Sequence, residues 1–349
     1  MSASREPARL VGDSGVSFLV HHSMYDEANA HPKDVYGDLD QVVRTDLRYH
    51  YSGPICAHRW LEQCEDPAYG HLGLIAYLDE VFPSLIEALR RDSGRLPRIA
   101  LTSLGPGDGS VDERMIKNLD AQVPLCSYCG LDFSFELLRR AANRIVHIDQ
   151  LQHQFPVKMV CGDFSRSSVA ALIDRPEGCV RLYTLTGLTL GNYNEGVLLE
   201  QVAGHMHDCD YLLVDARLHS LGNWPAGRVL TPSERSITLD SYDRPTARRF
   251  AFGPVEAATL ATVDDVEIGY DVTRAVTVVP NALNILVYCT GLSTTMRLTG
   301  ENVHRDRLDL GVTTLYHHPD LVTWLGSIGF RAVWHQSLDG MAMFLLRRA

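Results

Sequence analysis

The chain has 349 residues, of which 45% are hydrophobic and 21% are charged, so it can bury one large core or two moderate ones. Its 32 Lys and Arg residues stand against 43 Asp and Glu residues, and the formal net charge of −11 argues against a nucleic-acid partner. The polar N-terminus and the lack of a bilayer-length apolar run predict no signal peptide and no membrane partner. Eight cysteines do not make a disulfide scaffold at this length, which favours a reduced, cytoplasmic setting.

The N-terminal part of the chain predicts little regular structure before its first long helix. Residues 1–50 are irregular, with weak periodicity. From Leu72 to Arg91 apolar residues recur near one helical face, which predicts a helix that Pro83 kinks or divides. We interpret residues 1–95 as an N-terminal helical or lid segment.

Strand-like and helix-like segments then alternate along residues 96–217. The predicted strands are Arg98–Leu104, Leu125–Leu131, Lys158–Cys161, Val180–Leu185 and Tyr211–Val214. The predicted helices are Ser110–Leu119, Ser134–Ile145, a short stretch around Ala170, and Glu195–His207. This alternation predicts an α/β fold with a parallel sheet covered on both faces, whose ligands bind at the carboxyl ends of the strands.

The alternation breaks between residues 218 and 310. Proline, glycine and β-type segments such as Leu283–Tyr288 and Thr294–Leu298 predict an inserted β-rich substrate region there. Residues 311–349 return to the sheet with a helix at Pro319–Ile328 and strands at Ala332–His335 and Met341–Arg347. Because the last two strands are close in sequence, we expect them to pair antiparallel at one sheet edge. The predicted cofactor domain therefore comprises residues 96–217 and 311–349.

The first predicted strand of this domain runs into a glycine-rich loop, Leu104-Gly105-Pro106-Gly107-Asp108-Gly109-Ser110. Glycines let a backbone approach a ligand with no Cβ in the way, and Ser110 with Glu113 is a capping-box signal for a helix start. The spacing is not that of the dinucleotide fingerprint, and no Lys-Ser or Lys-Thr follows as in a phosphate P-loop. The loop predicts a nucleotide-type cofactor held at Gly105, Gly107, Asp108 and Gly109.

Acidic residues follow the next two strands. Asp132 ends the second strand, where a carboxylate can accept hydrogen bonds from ribose hydroxyls, although it could instead cap the helix that follows. After the third strand, Asp163 could accept an adenine amine and Phe164 could pack on the ring, although Asp163 could be only a turn residue. The loop and both acids in this order predict an S-adenosylmethionine site, and no metal-ligand spacing accompanies them.

At these residues the chain resembles the histidine-specific, S-adenosylmethionine-dependent methyltransferases of the ergothioneine pathway. The glycine loop is similar to that family's first motif, and Cys161-Gly162-Asp163-Phe164 is similar to its adenine motif. Gly187-Leu188-Thr189-Leu190-Gly191-Asn192 resembles its Gly-Ser-Thr-Ile-Gly-Asn segment, and Tyr51 with Trp60–Tyr69 resembles its N-terminal substrate segment. The resemblance implies a class I methyltransferase, Rossmann-like fold with an antiparallel last strand, and it places Gly187 at the cofactor.

The resemblance also implies which residues hold the substrate. In that family an Asn and two tyrosines bind the amine and carboxylate of an amino acid, which assigns this role to Asn192, Tyr69 and Tyr51. The family recognises imidazole with a Glu and a Ser, whereas the corresponding stretch here is Gly311-Val312-Thr313-Thr314, and the nearest acid is Asp309. This departure puts histidine in doubt as the acceptor.

The sequence thus predicts a secondary-metabolism enzyme that transfers a methyl group to the amino group of a small amino acid-type substrate. An alternative is cyclisation of S-adenosylmethionine to azetidine-2-carboxylate with release of methylthioadenosine, as in azetidine-2-carboxylate synthase-like relatives of these methyltransferases. A cofactor-binding relative without catalysis is a third hypothesis. The oligomeric state stays open, a homodimer included.

Two further features have plain interpretations beside functional ones. Cys126-x-x-Cys129 lies in a predicted buried strand, and we interpret both cysteines as small apolar core residues. Asp215 ends the fifth predicted strand, where it either faces the pocket or only begins a loop.

Overall fold

A computed structural model describes most of the chain. The described residues are 8–11, 16–20, 50–67, 69, 71–95, 97–149, 151, 154–164, 173, 176–192, 194–221, 230–240, 242–274 and 279–349. The chain divides into two compact units. Unit 1 comprises Met1–Glu27, Gly73–Leu218 and His318–Ala349, and unit 2 comprises Ala28–Leu72 and His219–His317. None of the helices among the described residues is both long enough and apolar enough to cross a bilayer.

The strands within this part of the chain are numbered in chain order. They are β1 (Ala8–Val11), β2 (Val16–Val20), β3 (Ile99–Leu104), β4 (Leu125–Asp132), β5 (Val157–Cys161), β6 (Val180–Leu185), β7 (Tyr211–Arg217), β8 (Glu267–Arg274), β9 (Leu283–Thr295), β10 (Asn302–Leu315), β11 (Phe330–Leu338) and β12 (Met341–Arg348). The helices are α1 (Gly53–Glu65), α2 (His71–Ser93), α3 (Ser110–Asp120), α4 (Phe135–Val146), α5 (Glu195–His205), α6 (Pro232–Leu239), α7 (Pro245–Ala258) and α8 (His318–Ser327). Short 3-10 turns lie at Thr189–Asn192 and Val263–Asp265.

Unit 1 is built on a nine-stranded sheet in the order β1-β2-β5-β4-β3-β6-β7-β12-β11. The strands from β2 to β7 pair in parallel, and β12 pairs antiparallel with both β7 and β11. Strand β3 is buried along its whole length, as expected for a parallel strand covered on both faces. The predicted α/β class I methyltransferase fold, with its antiparallel last strand, is confirmed by this topology.

The prediction that residues 1–50 are irregular is wrong at two short segments. Strand β2 adds to β5 in parallel, and β1 pairs antiparallel with β2 at the edge of the sheet. Val16–Val20 is an almost continuous apolar segment, so it shows no alternation, and its strand conformation comes from the neighbouring strand. The short helix predicted around Ala170 lies outside the described residues.

Helix α2 is continuous through Pro83, so the prediction that this proline could divide the helix is wrong. Pro83 lies on the exposed face, where water can satisfy the carbonyl that its missing N–H leaves without a helical partner. The predicted apolar face is buried in the core of unit 1 at Leu74, Leu78, Val81, Leu85 and Leu89. This face packs into that core, and α2 from Gly73 onward lies in unit 1.

Unit 2 contains an antiparallel three-stranded sheet in the order β10-β9-β8. The region from residue 218 to residue 310 also contains α6 and α7, so it is less β-rich than predicted. Buried Phe252 of α7 shares an apolar core with Cys289 of β9. Arg59 of α1 forms a two-pronged ion pair with Glu256 of α7, with N–O distances of 2.9 and 2.7 Å. This pair holds α1 against α7.

A disulfide joins Cys126 to Cys179, with a Cα–Cα distance of 6.8 Å. Cys126 lies in β4 and Cys179 directly precedes β6, so the bond connects the two strands that flank β3. The interpretation of Cys126 as a small apolar core residue is therefore wrong, whereas Cys129 is buried and takes no part in a disulfide. The error arises because strand order, and not sequence spacing, brings residues 53 positions apart into contact.

Candidate active site

The glycine loop leaves β3 at the carboxyl edge of the sheet. Gly105, Gly107 and Gly109 all adopt left-handed backbone conformations, with φ of 79°, 56° and 80°. A Cβ on Gly109 would lie 2.8 Å from Cα of Ala141, so only glycine lets α4 pack this closely against the loop. Gly105 donates its N–H to the carbonyl of Leu131 at 2.7 Å, which ties the loop to the end of β4.

The start of α3 differs from the predicted capping box. Gly109 is the N-cap residue and Ser110 is the first helical residue, so the N-cap position itself has no side chain to accept a hydrogen bond. Asp108 instead accepts hydrogen bonds from the N–H of Ser110 at 3.0 Å and from its hydroxyl at 2.7 Å. Glu113 forms ion pairs with Lys117 and Arg144, and Arg144 also pairs with Asp108 at 3.0 Å. Gly109 thus occupies the N-cap position, and the Glu113 carboxylate, which a capping box would use, pairs with Lys117 and Arg144 instead.

The Asp132 carboxylate lies at the end of β4 with only 7% of the residue exposed. Its Oδ2 accepts a hydrogen bond from the N–H of Gly107 at 3.2 Å, and its Oδ1 accepts one from the N–H of Ser134 at 2.8 Å. Burial raises the pKa of Asp132 to about 6, although these backbone donors favour the charged form. Asp132 therefore connects the glycine loop to the start of α4, whose own N-cap is Ser134.

Asp163 and Phe164 follow β5, and both are buried. The Phe164 ring lies against the loop, because a Cβ built on Gly105 would be 3.5 Å from its Cε1. The N–H of Gly162 bonds the carbonyl of Asp132 at 2.9 Å, which joins the ends of β4 and β5. The structure thus brings the glycine loop, Asp132, Asp163 and Phe164 to one edge of the unit 1 sheet.

The segment after β6 is held by Asp215, at the carboxyl end of β7. The carboxylate, which has no exposed surface, accepts hydrogen bonds at 2.9 Å from the N–H groups of Gly187 and Leu188. Burial raises the pKa of Asp215 to about 7. Leu188 has a left-handed φ of 63°, which is uncommon for a residue with a Cβ. Asn192 ends the 3-10 turn that follows.

A buried polar network lies beside the loop and was missed by the sequence analysis. The hydroxyl of Tyr128 on β4 donates to Oδ2 of Asp112 on α3 at 2.9 Å. Burial raises the pKa of Asp112 to about 7. A Cβ on Gly130 would lie 3.0 Å from the Tyr128 hydroxyl, so this glycine makes room for the network. In the sequence, the only signals of this network are a tyrosine within the strand β4 and an acid in the first turn of the helix α3.

Tyr51 and Tyr69, the two predicted substrate tyrosines, share an aromatic cluster in unit 2. Both contact Trp60, with ring centroids 5.4 and 5.6 Å apart, and Phe250 contacts Tyr51 and Trp60 at 5.5 and 5.4 Å. Trp60 is the most buried of the four, at 7% exposure. Sequence analysis did not find Phe250, since it lies on α7, far along the chain from the other three.

Asp309 lies in unit 2, on β10. Arg307 pairs with it at 3.0 Å and with Asp271 at 2.9 Å, and the Arg307 guanidinium lies 3.7 Å from the centroid of the Tyr288 ring. The Tyr288 ring in turn covers Gly269, where a Cβ would overlap it at 2.4 Å. Asp309 is therefore engaged in an ion-pair network on one face of this sheet.

Comparisons with known proteins give structural likeness only. No protein-family model matches the chain, and no curated protein matches it. Similar solved structures include an S-adenosylmethionine-dependent methyltransferase from Clostridium acetobutylicum ATCC 824, with 12% identity and a TM-score of 0.43 over 84% of this chain and 99% of that one. Magnesium protoporphyrin IX methyltransferase from Synechocystis PCC 6803 shows 13% identity and a TM-score of 0.42 over 87% and 98%.

A third similar structure is the sugar N-methyltransferase KedS8 from Streptoalloteichus sp ATCC 53650, with 11% identity and a TM-score of 0.37 over 84% of this chain and 93% of that one. The substrates of these three proteins are not assigned to this chain. The fold assignment here rests on the strand order of the chain itself, and by that order unit 1 has the class I methyltransferase fold.

Proposed function

We propose that the protein is an S-adenosylmethionine-dependent enzyme that methylates the amino group of a small amino acid-type substrate. The observation that carries the proposal is the position of Asp132, buried at the end of β4 and bonded to the N–H of Gly107. A carboxylate in this place can accept hydrogen bonds from a ribose beside a loop that lacks side chains.

The residues at this edge fit the proposed donor. The three left-handed glycines give the loop a backbone without side chains, and the Phe164 ring beside Gly105 provides an aromatic face for an adenine ring. Asp163, buried beside Phe164, is the candidate acceptor for the adenine amine. A ribose diol would also supply donors to Asp132, whose burial penalises the charged form.

Bound at this edge, the donor would supply an electrophilic methyl group on a sulfonium. The protein then has to hold a neutral amine in line with that methyl group, and such positioning is where most of the rate acceleration arises. The α-amine must lose its proton before it can attack the methyl group, so the site has to favour the neutral form of the amine. The family resemblance supports Asn192, Tyr69 and Tyr51 as the residues that orient the amine and carboxylate.

A second candidate is cyclisation of S-adenosylmethionine itself to azetidine-2-carboxylate. In that reaction the amine nitrogen bonds to Cγ, the Cγ–S bond breaks with its electrons going to sulfur, and the amine loses a proton as methylthioadenosine leaves. The observation that favours it is that Asp309, the acid nearest the segment that recognises the acceptor in the resembling family, is paired with Arg307. No acceptor-recognising carboxylate is therefore evident among the described residues of that strand.

Product analysis separates the candidates. Purified protein is incubated with S-adenosylmethionine, with and without a mixture of the twenty standard amino acids, and adenosyl products are separated by chromatography. S-adenosylhomocysteine that forms only with the mixture supports methyl transfer. Methylthioadenosine formed without any amino acid supports cyclisation and overturns the first proposal. If wild-type protein binds neither S-adenosylmethionine nor S-adenosylhomocysteine in calorimetry, both proposals fail.

A further inference from the structure

We propose that Asp215 is a positioning residue of the active site, which holds Leu188 in its left-handed conformation so that the following turn sets the place of Asn192. The inference deepens the proposed function, since the role of Asn192 rests on it. The contacts of Asp215 themselves are independent of any assignment of activity.

Each carboxylate oxygen of Asp215 accepts a hydrogen bond from a different backbone N–H group. Oδ2 accepts the N–H of Gly187 and Oδ1 accepts the N–H of Leu188, each at 2.9 Å. Strands β6 and β7 are parallel neighbours, with Leu185 opposite Val214, so the chain leaving β6 passes directly over the end of β7. Two successive amides thus converge on one buried carboxylate, which is an arrangement that fixes the backbone between them.

Leu188 needs such support because its conformation is unfavourable. A left-handed φ brings the Cβ of any residue except glycine close to the following carbonyl oxygen. Gly187, with a φ of 86°, has no such conflict, whereas Leu188 does at 63°. Backbone strain at a non-glycine residue persists where the surrounding structure holds it, and such strain is concentrated at functional sites.

The turn after Leu188 is tied to the glycine loop. The hydroxyl of Thr189 donates to the carbonyl of Thr186 at 3.0 Å, and its Oγ1 would lie 3.9 Å from a Cβ on Gly105. Thr189 therefore lies beside the loop, and Asn192 ends the same turn. If Leu188 relaxed to a negative φ, the direction of the chain would change four residues before Asn192.

The test compares Asp215→Asn with two double variants. The amide of Asn can accept one backbone N–H, but its own N–H₂ group faces the other donor, so one hydrogen bond is lost. Adding Leu188→Gly removes the penalty at the left-handed position, whereas adding Leu188→Ala truncates the same side chain and keeps the penalty. Hydrogen exchange of the peptide spanning residues 187–192 is measured by mass spectrometry, and turnover of S-adenosylmethionine is measured with the amino-acid mixture.

We expect Asp215→Asn to speed exchange in this peptide about tenfold or more, which reports the loss of local protection. Turnover should fall at least tenfold in kcat/KM for the acceptor, or in kcat if the protein cyclises its donor. Leu188→Gly should restore most of the protection and turnover, and Leu188→Ala should not. Leu188→Val, which leaves Asp215 in place, should reproduce the defect because a β-branched residue is a poor fit at positive φ.

The proposal is overturned if exchange is unchanged in Asp215→Asn and in Leu188→Val, or if the Gly and Ala double variants behave alike. If Asp215→Asn does not fold, Leu188→Val alone decides the question. Failure of the proposed function would show separately, as wild-type protein that does not bind S-adenosylhomocysteine. The exchange results would then still decide whether Asp215 holds the segment.

Discussion

The carboxylate of Asp132 accepts a hydrogen bond from the backbone N–H of Gly107 at 3.2 Å, although the two residues belong to different strand-to-helix connections. This bond closes the glycine loop against the end of β4. It also leaves a buried acid at the point where a ligand of a parallel sheet is expected.

The first prediction concerns the affinity for the proposed donor. Asp132→Asn should weaken S-adenosylhomocysteine binding by about 10- to 100-fold, because hydrogen bonds to a charged group contribute about 1.5–3 kcal/mol. Asp163→Asn should weaken it less, because one amide oxygen can still accept an amine. Calorimetry measures both, with Asp149→Asn on the exposed surface as the control that leaves affinity unchanged. Equal affinities for Asp132→Asn and wild type would contradict the assignment.

Substrate holding by the tyrosines is tested by removing one hydroxyl. Tyr69→Phe keeps the ring contact with Trp60 and should raise the KM for the acceptor about fivefold, since one lost hydrogen bond contributes about 1 kcal/mol. Tyr270→Phe is the matched control, because the Tyr270 hydroxyl donates to the carbonyl of Tyr242 at 2.8 Å. It should lower stability and leave KM unchanged. The opposite pattern would assign Tyr69 to folding.

A Cβ at Gly109 would destabilise the protein in two ways, by overlap with Ala141 and by the positive φ of the residue. Gly109→Ala should lower the free energy of unfolding by about 2–4 kcal/mol, because the new Cβ overlaps Cα of Ala141 and the residue keeps a positive φ. Gly94→Ala, at a φ of 72° with nothing within 4 Å, should lose only about 1 kcal/mol. Denaturant unfolding measures both variants. Equal losses would mean that the contact with α4 is unimportant.

The disulfide gives a chemical prediction. Protein unfolded without reductant should show six reactive thiols, the free cysteines, and eight after reduction. In the chain-entropy model a bond closing a loop of this length contributes about 4 kcal/mol, so Cys126→Ser with Cys179→Ser should lower Tm by about 5 °C. Cys209→Ser serves as the control, because Cys209 is exposed and lies outside the disulfide. Eight thiols before reduction would show that the bond does not form.

Three buried acids predict how stability changes with pH. Burial raises the pKa of Asp112 and Asp215 to about 7 and that of Asp132 to about 6. Between pH 4 and pH 7 the folded protein then binds more protons at these sites than the unfolded chain, so they lower the free energy of unfolding as pH rises. Arg114 lowers the pKa of Asp79. Burial raises the pKa of Asp92, but hydrogen bonds from Arg331 and Arg347 outweigh it and leave this pKa below its usual value. Both ion-paired acids therefore act with the opposite sign below about pH 4.

Asp112→Asn isolates one of these groups. Because the amide does not ionise, the variant should gain stability relative to wild type as pH rises from 4 to 8, by on the order of 3 kcal/mol. Urea unfolding at several pH values measures this difference. A difference for Asp112→Asn that is constant with pH would show that Asp112 titrates normally in the folded protein.

Some parts of the site could be predicted because they depend on short stretches of sequence. Apolar runs such as Ile99–Leu104 mark buried parallel strands, and the residues after them necessarily come to the carboxyl edge of the sheet. The positions of Gly105, Asp132 and Asp163 at one edge follow from that rule. The prediction was wrong where the glycine loop meets the helix. Ser110 and Glu113 suggested a capping box, but Gly109 is the N-cap residue.

Other relationships join segments that are far apart in the chain. Asp215 was open between two roles until the strand order placed it under the N–H groups of Gly187 and Leu188. The same is true of Tyr128 with Asp112, and of Cys126 with Cys179 across β3. The spacing of residues along the sequence does not predict which backbone N–H group will bond a buried carboxylate.

The amino-acid sequence by itself determined the α/β rhythm, the glycine loop and the acids at the strand ends, because helix and strand periods and backbone freedom are local properties. Only the tertiary structure decided which groups are bonded to each other, that Ala8–Val11 and Val16–Val20 form strands, and that the two predicted tyrosines share a cluster with Phe250. Hydrogen bonds and ring contacts act over a few ångströms. They therefore depend on which strands and helices are neighbours in the folded protein, and not on distance along the chain.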